Sequence, residues 1–241
     1  MHFPHAHSRL CLALDVTDRK KAEALILATE GSVGIYKIGL EFAMAGGLGL
    51  AAELAAAGRS VFLDMKLLDI ANTVAGAVRS AGALGADYLT VHAYPQALEA
   101  AVAARPPGLK IVAVTVLTSL DDGDLLRAGY ATSSADLVAK RIGDAAALGV
   151  DALVCSPKEA PAAHSSGLLV ITPGVRLESD TAGDQKRIAT PDAAIEAGAD
   201  ILVVGRPITA APDPGAAARR FVEAIGAGLE RRNRSPASVG C

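Results

Sequence analysis

The chain runs to 241 residues, 51% of them hydrophobic and 20% charged, with 23 basic side chains against 26 acidic ones. That composition is apolar enough to bury one large core and excludes a disordered, collagen-like or coiled-coil chain. A net charge of −3 provides no broad basic surface for a nucleic-acid polymer or an anionic membrane, and no apolar stretch approaches the ~20 residues that a membrane span requires.

At the start of the chain His2, His5 and His7 could hold a metal, but a loose end is the plainer reading, because too short an apolar run follows for a signal-peptide core. Residues 1–9 and 232–241 are expected to be flexible tails around a single domain over 10–231. Cys11, Cys155 and Cys241 are far apart with no C-x-x-C pair, a spacing that suits neither a disulfide framework nor a zinc site and points to the reducing cytoplasm.

Eight short aliphatic or β-branched runs then alternate with Ala-rich stretches of helical period. The runs are 10–15 (LCLALD), 33–39 (VGIYKIG), 60–66 (SVFLDMK), 87–92 (DYLTVH), 110–117 (KIVAVTVL), 150–155 (VDALVC), 167–172 (GLLVIT) and 200–205 (DILVVG). Four of them follow a small-residue phrase, AAAGRS, ALGAD, ALGVD or EAGAD, in which Gly58, Gly85, Gly149 and Gly198 are placed to cap the preceding helix. Eight βα units in a chain of this length predict a (β/α)8 TIM barrel, one α/β domain. A dinucleotide fold has one point in its favour, the G-x-G-x-x-A spacing at Gly47, Gly49 and Ala52. No strand runs into those glycines, so the tight phosphate turn is missing.

In such a barrel chemistry sits where the strands end. Strand 1 ends at Asp15, strand 2 carries Lys37, strand 3 has Asp64 and Lys66 with Asp69 in the following loop, strand 4 ends at His92, and strand 5 leads to Thr115 and Thr118. Charges inside apolar strands are costly unless paired or used. Asp64 and Lys66, two apart, should share one face. A purely structural salt bridge there would leave Lys37, Asp15 and Asp69 at the same rim unexplained, whereas alternating ions would keep lysines protonated and present an ammonium to a developing carbanion. Strands 7 and 8 run into Pro173-Gly174-Val175-Arg176 and Gly205-Arg206, glycine with arginine at the usual phosphate position of these barrels. The segment from Asp180 to Gln185 is the candidate lid. His92 reads as a satisfied strand-end histidine.

These residues carry a resemblance. Phe62 to Val74 (FLDMKLLDIANTV) resembles the D-x-K-x-x-D-I-x-x-T signature of the orotidine 5′-phosphate decarboxylase family. LALDV, YKIGLE, VTVLTS, TPGVR, GDQKRIATP and VVGRPI stand in the family's order along Leu10 to Arg231. The resemblance implies a (β/α)8 homodimer that converts orotidine 5′-monophosphate to uridine 5′-monophosphate (UMP) and carbon dioxide in pyrimidine synthesis, with no metal and no organic cofactor. By matching position it makes Lys66 the proton donor to C6, sets Asp64 beside the substrate carboxylate and lets Lys37 link ribose and carboxylate. It brings Asp69 and Thr73 from the second subunit, places Asp15 and Thr73 at the ribose and Thr118 at the pyrimidine, and adds Pro173 to the substrate site. Arg176, Gln185, Gly205 and Arg206 would hold the phosphate.

One departure is visible. Where the family usually has His-Ala-x-Gly-Gly after strand 4, this chain has His92-Ala93-Tyr94-Pro95-Gln96. The nearest rival is a metal-dependent sugar-phosphate enzyme of the same superfamily, which would carry a carboxylate where this chain has Lys37. A Schiff-base aldolase using Lys66 or Lys37 is disfavoured by the neighbouring carboxylates, and a non-catalytic nucleotide binder would have no need for Lys66 beside Asp64.

Overall fold

Each aliphatic run pairs in parallel with its neighbours in the chain, and the last returns to the first, closing a barrel in the order β1 to β8. The computed structural model describes residues 5–177 and 189–234. Its strands are β1 (Leu10–Ala13), β2 (Ile35–Gly39), β3 (Ser60–Leu67), β4 (Tyr88–His92), β5 (Lys110–Val114), β6 (Ala152–Val154), β7 (Leu169–Pro173) and β8 (Ile201–Val204). The helices among them are α1 (Arg19–Ala28), α2 (Leu40–Phe42), α3 (Leu48–Ala56), α4 (Ala71–Leu84), α5 (Pro95–Ala104), α6 (Asp122–Arg127), α7 (Ser134–Ala147), α8 (Ala160–His164), α9 (Pro191–Glu196), α10 (Arg206–Thr209) and α11 (Pro214–Arg234). The (β/α)8 architecture expected from the repeats is the one observed.

The recurrent phrases have a physical use at both of their ends. All four glycines sit at positive φ, from 72° to 113°, which lets each helix stop and the chain turn back to the barrel. The aspartate that closes three of the phrases then accepts a backbone N–H from the strand before it. Asp87 takes Val61 N–H at 2.9 Å, Asp151 takes Ile111 N–H at 2.9 Å and Asp200 takes Val170 N–H at 3.0 Å. Strand starts are thus stitched laterally at the N-terminal face. Arg9 and Arg232, from the two terminal segments, both reach Asp200 at 3.5 Å, and α11 carries the chain in helical form to Arg234.

Period-two alternation decides what fills the barrel. One residue from every strand, from Cys11 on β1 through Phe62 and Tyr88 to Ile201 on β8, forms a closed apolar plug. Two positions further along each strand lies the next layer. There β1 and β5 to β8 present Ala13, Val114, Val154, Pro173 and Val203, while β2, β3 and β4 present Lys37, Asp64 and Thr90. The polar side of the mouth is therefore set by three adjacent strands standing on a dry plug.

One expectation needs correction. The fifth strand, expected over 110–117, ends at Val114 because Thr115 turns its carbonyl to a side chain of α7 and leaves the ladder. Gly47 and Gly49 lie within a helical stretch that begins at Leu40 and widens over Ala43–Gly47, so no phosphate turn forms there. No helix among the described residues is long and apolar enough to cross a membrane, and Cys11 and Cys155 are buried free thiols.

Helix α11 lies against α9, and two of its glycines separate packing from helix propensity. A Cβ on Gly228 would sit 2.6 Å from the Asp192 carbonyl oxygen and 2.9 Å from Ile195 Cβ, whereas one on Gly226 meets nothing within 4 Å. Gly226→Ala is expected to raise stability by about 0.5–1 kcal/mol, and Gly228→Ala to lower it by about 1–3 kcal/mol. Denaturant unfolding of the two variants beside the parent measures both signs.

Candidate active site

The mouth above the plug encloses a cavity of about 440 Å3 whose lining includes Asp15, Lys37, Asp64, Lys66, Thr118, Pro173, Gly174, Arg176, Gly205 and Arg206. Most of the residues expected at the site thus meet in one place. Phe62, Val114, Val154 and Val203 give it an apolar floor, and Glu41 and Thr209 also reach it.

Four charges form an alternating chain along one side. Lys37 Nζ lies 3.3 Å from Asp15 Oδ1 and 3.2 Å from Asp64 Oδ2, and Lys66 Nζ donates to Asp64 Oδ1 at 2.8 Å. The Lys37 side chain is 9% exposed, while Asp15 at one end of the chain is 50% exposed and Lys66 at the other is 30% exposed. The interior of the array is therefore desolvated and its two ends face the cavity. Glycine is required beside it: a Cβ on Gly39 would stand 2.7 Å from Asp15 Oδ1 and 3.1 Å from Lys37 Nζ.

Electrostatics keep the two inner members, Lys37 and Asp64, ionised. Burial works against the Lys37 ammonium, but Asp64 and Asp15 outweigh it, and its pKa is raised above the ordinary lysine value. Burial likewise opposes the Asp64 carboxylate, yet the two lysines and the hydrogen bonds from Lys66 and Thr90 hold its pKa below the usual aspartate range. His92 is pushed the other way, first by burial and then by Arg141 and Lys66, so its imidazole stays neutral more readily than usual.

The Asp64–Lys66 contact does not come from simple strand alternation. Leu63 pairs with Leu89 and Leu67 with Val91, so residues 64–66 of β3 stand opposite Thr90 alone, a bulge. Lys66 takes φ 49°, the one positive φ among the described non-glycine residues, a conformation that costs on the order of 1–3 kcal/mol unless its surroundings impose it. Thr90 imposes it. Its hydroxyl oxygen accepts the Lys66 N–H at 2.8 Å and donates to Asp64 Oδ1 at 3.0 Å. Thr90 was not among the expected site residues, although its place two positions before His92, on the inward face of β4, is the signal that finds it.

The remaining expectations separate. Asp69 and Thr73 are exposed and do not line the cavity; Asp69 Oδ1 accepts the N–H of Ile70 at 2.7 Å. Arg176 stands at the cavity where Val175 bridges to Ala189. Gln185, and with it the lid expected from Asp180, falls outside the described residues. Thr115 is fully buried, its hydroxyl bonded to the Val154 carbonyl oxygen at 3.0 Å, and is a strut beneath the site.

The chain matches, over residues 8–221, the model of the family described as Orotidine 5'-phosphate decarboxylase / HUMPS. It is 55% identical over 221 residues to an orotidine 5'-phosphate decarboxylase from Afipia carboxidovorans, covering 90% of this chain and 94% of that one. A protein of the same name from Methylorubrum extorquens is 56% identical over 217 residues, covering 89% and 94%. The crystal structure of orotidine 5'-phosphate decarboxylase from Lactobacillus acidophilus superposes with a TM-score of 0.77 at 32% identity, covering 90% of this chain and 98% of that one.

The two resolved shifts fix the sign of the array's pH response. The depressed Asp64 stabilises the fold above the ordinary aspartate range and loses that contribution as pH falls through its own lower pKa; the raised Lys37 stabilises below the ordinary lysine range and loses it as pH rises through its own higher pKa. The stability gap between the parent and Asp64→Asn is therefore expected to be level at neutral pH and to close in acid, below the ordinary aspartate range. Urea unfolding of both proteins across pH measures it.

Proposed function

The chain belongs to the orotidine 5'-phosphate decarboxylase / HUMPS family, and from that membership we propose that it decarboxylates orotidine 5′-monophosphate to UMP in pyrimidine biosynthesis, without metal or organic cofactor. The observation that carries the reading is the alternating chain Asp15, Lys37, Asp64, Lys66 at a cavity that Arg176 and Arg206, after β7 and β8, also line. Orotidine 5′-monophosphate is anionic in its phosphate and again in its C6 carboxylate, and this cavity offers arginines for the one and lysines for the other.

In this reading the phosphate lies against Arg176, Gly205 and Arg206, the ribose against Asp15 and Lys37, and the pyrimidine between Thr118 and the β3 pair. The bond from C6 to the carboxylate breaks, its electron pair stays on C6, carbon dioxide leaves, and Lys66 Nζ delivers the proton to C6. Lys66 is suited to that step because the Asp64 contact holds its ammonium in a fixed place before substrate enters. Magnitudes apportion the work. Enzymes lower barriers by about 8–23 kcal/mol. Repulsion between Asp64 and a substrate carboxylate ~4 Å away supplies only about 4 kcal/mol at an effective dielectric near 20. Stabilisation of the C6 anion by Lys66 must supply more, with phosphate binding used to hold the ring in register. The setting is the cytoplasm, where buried Cys11 and Cys155 remain thiols.

A second copy of the chain completes the site in the same proposal. Asp69 and Thr73 lie on an exposed segment outside the cavity, flanked by Leu68 and Ile70 at 48% and 73% exposure. The helical stretch after β2 exposes Leu40, Met44 and Leu48. Apolar side chains clustered around polar ones on segments that follow adjacent strands favour burial against another protein surface, and an isologous contact would carry Asp69 and Thr73 toward the partner's cavity.

Two experiments test this. Purified protein in EDTA is expected to remove the orotidylate absorbance band, while Lys66→Ala still binds UMP but turns over slower by several powers of ten; an inactive parent, or a mild loss in Lys66→Ala, overturns the assignment. Mixing inactive Lys66→Ala and Asp69→Ala chains is expected to restore part of the activity, since one site of each mixed dimer regains both groups. No recovery with subunit exchange verified removes the shared site.

A further inference from the structure

Behind the β4 and β5 side of the mouth lies a cluster that the reaction above does not use. Arg141, on α7, is 8% exposed, and among the described residues no carboxylate faces it. Its guanidinium instead donates to the Thr115 carbonyl oxygen and, at 3.3 Å, to the Tyr130 hydroxyl. Its Cζ stands 4.9 Å from the centre of the Tyr94 ring and 5.8 Å from that of Tyr130, and the two phenols share a hydrogen bond. Two aromatic faces and two oxygens thus satisfy a buried cation that a carboxylate would ordinarily neutralise.

The departure at the end of β4 is part of this cluster. Pro95 opens α5 at its first position, and a residue before proline is confined to extended backbone. Tyr94 accordingly holds φ −102° and ψ 127° as the cap of that helix, with its ring over Arg141. On the other side, Thr115 is the first residue beyond β5. Its N–H and its hydroxyl both go to the Val154 carbonyl oxygen, at 3.3 and 3.0 Å, and its own carbonyl goes to Arg141. The chain leaves the barrel from this anchored residue, and Val116, Leu117 and Thr118 follow as cavity wall.

We infer that Arg141, oriented by Tyr94 and Tyr130, is a positioning residue that fixes the Val116–Thr118 wall through the Thr115 carbonyl and so sets the contact with the base of the bound nucleotide. The inference rests on the reading of Thr118 as the pyrimidine contact. The Thr115 carbonyl is buried past the end of its ladder and needs a donor, and only Arg141 reaches it among the described residues. The guanidinium supplies that donor and binds the phenols at once, tying together the β4 corner, the loop before α7 and the β5 exit.

The test compares two probes, UMP, which carries the base, and ribose 5-phosphate, which lacks it. Arg141→Met is expected to weaken UMP and lower kcat/KM for orotidine 5′-monophosphate by roughly 10- to 100-fold, with ribose 5-phosphate affinity unchanged and Arg141→Lys recovering part of the loss. Unchanged UMP affinity, or an equal loss for both probes, overturns the inference. Should Arg141→Met not fold, Tyr130→Phe, which keeps the ring and removes one acceptor, makes the same comparison with an expected loss of roughly threefold for UMP alone. A parent that neither binds UMP nor turns over substrate sinks the functional reading itself, whereas an active parent matched by Arg141→Met sinks only the positioning role.

Discussion

Four ionised groups at one barrel mouth are tolerable only because their signs alternate. Lys37 is the group on which the others depend, since it is the most buried of the four and the one with a carboxylate on each side. A lone buried ammonium gives up its proton or costs several kcal/mol, while one between two carboxylates stays charged and holds both in place. Asp64 is treated in the same manner from the other direction, with Lys37 on Oδ2 and Lys66 and Thr90 on Oδ1. Lys37 and Asp64 are thus each a condition for the other's charge, and removing one changes the surroundings of the other instead of subtracting a fixed increment.

The barrel makes that array buildable. Neighbouring strands lie about 4.8 Å apart, so residues in one layer of adjacent strands are within reach of each other. Ala13 pairs laterally with Lys37, and Gly39 with Asp64. Alanine and glycine at those positions leave the volume into which the lysine stem extends, and the Gly39 clash distances state how little is spare. The last link needs an exception to the strand rule. On a regular strand Lys66 would lie on the face of Asp64 one pleat further along, but the bulge against Thr90 turns its backbone left-handed. Its ammonium consequently closes on Asp64 from above while its N–H is held below.

The fold was legible because the repeats announce themselves twice, once in aliphatic runs and once in the glycine and aspartate phrases, and both have local causes. The charged members of the site were legible for a related reason: an ion within an apolar run is conspicuous. Thr90 was harder to see, because its inward place on β4 marks it but a threonine inside a strand is ordinary, and its role depends on a three-for-one slip in the facing strand that no local pattern encodes. Arg141 and Tyr130 were hidden differently. They sit in helical and loop stretches where arginine and tyrosine are unremarkable, and only the tertiary fold shows that they meet Tyr94 and the Thr115 carbonyl. The departure at Tyr94-Pro95-Gln96 was visible, but its partner, some 47 positions along at Arg141, was not.

One position separates the proposed chemistry physically from the metal-dependent rival. With a carboxylate at 37, Asp15 and Asp64 would gain a third negative neighbour between them, and three oxyanions in a desolvated pocket call for a bound cation to hold them together. With Lys37 there, both flanking carboxylates already have a fixed countercharge at 3.2 to 3.3 Å, and a dication entering the same space would have to displace an ammonium. The carboxylates are therefore committed to lysines, and the free end of the array is the Lys66 ammonium facing the cavity. A pocket so arranged presents an ammonium where a carboxylate at the same position would favour a bound cation, and the difference rests on a single side chain midway along β2.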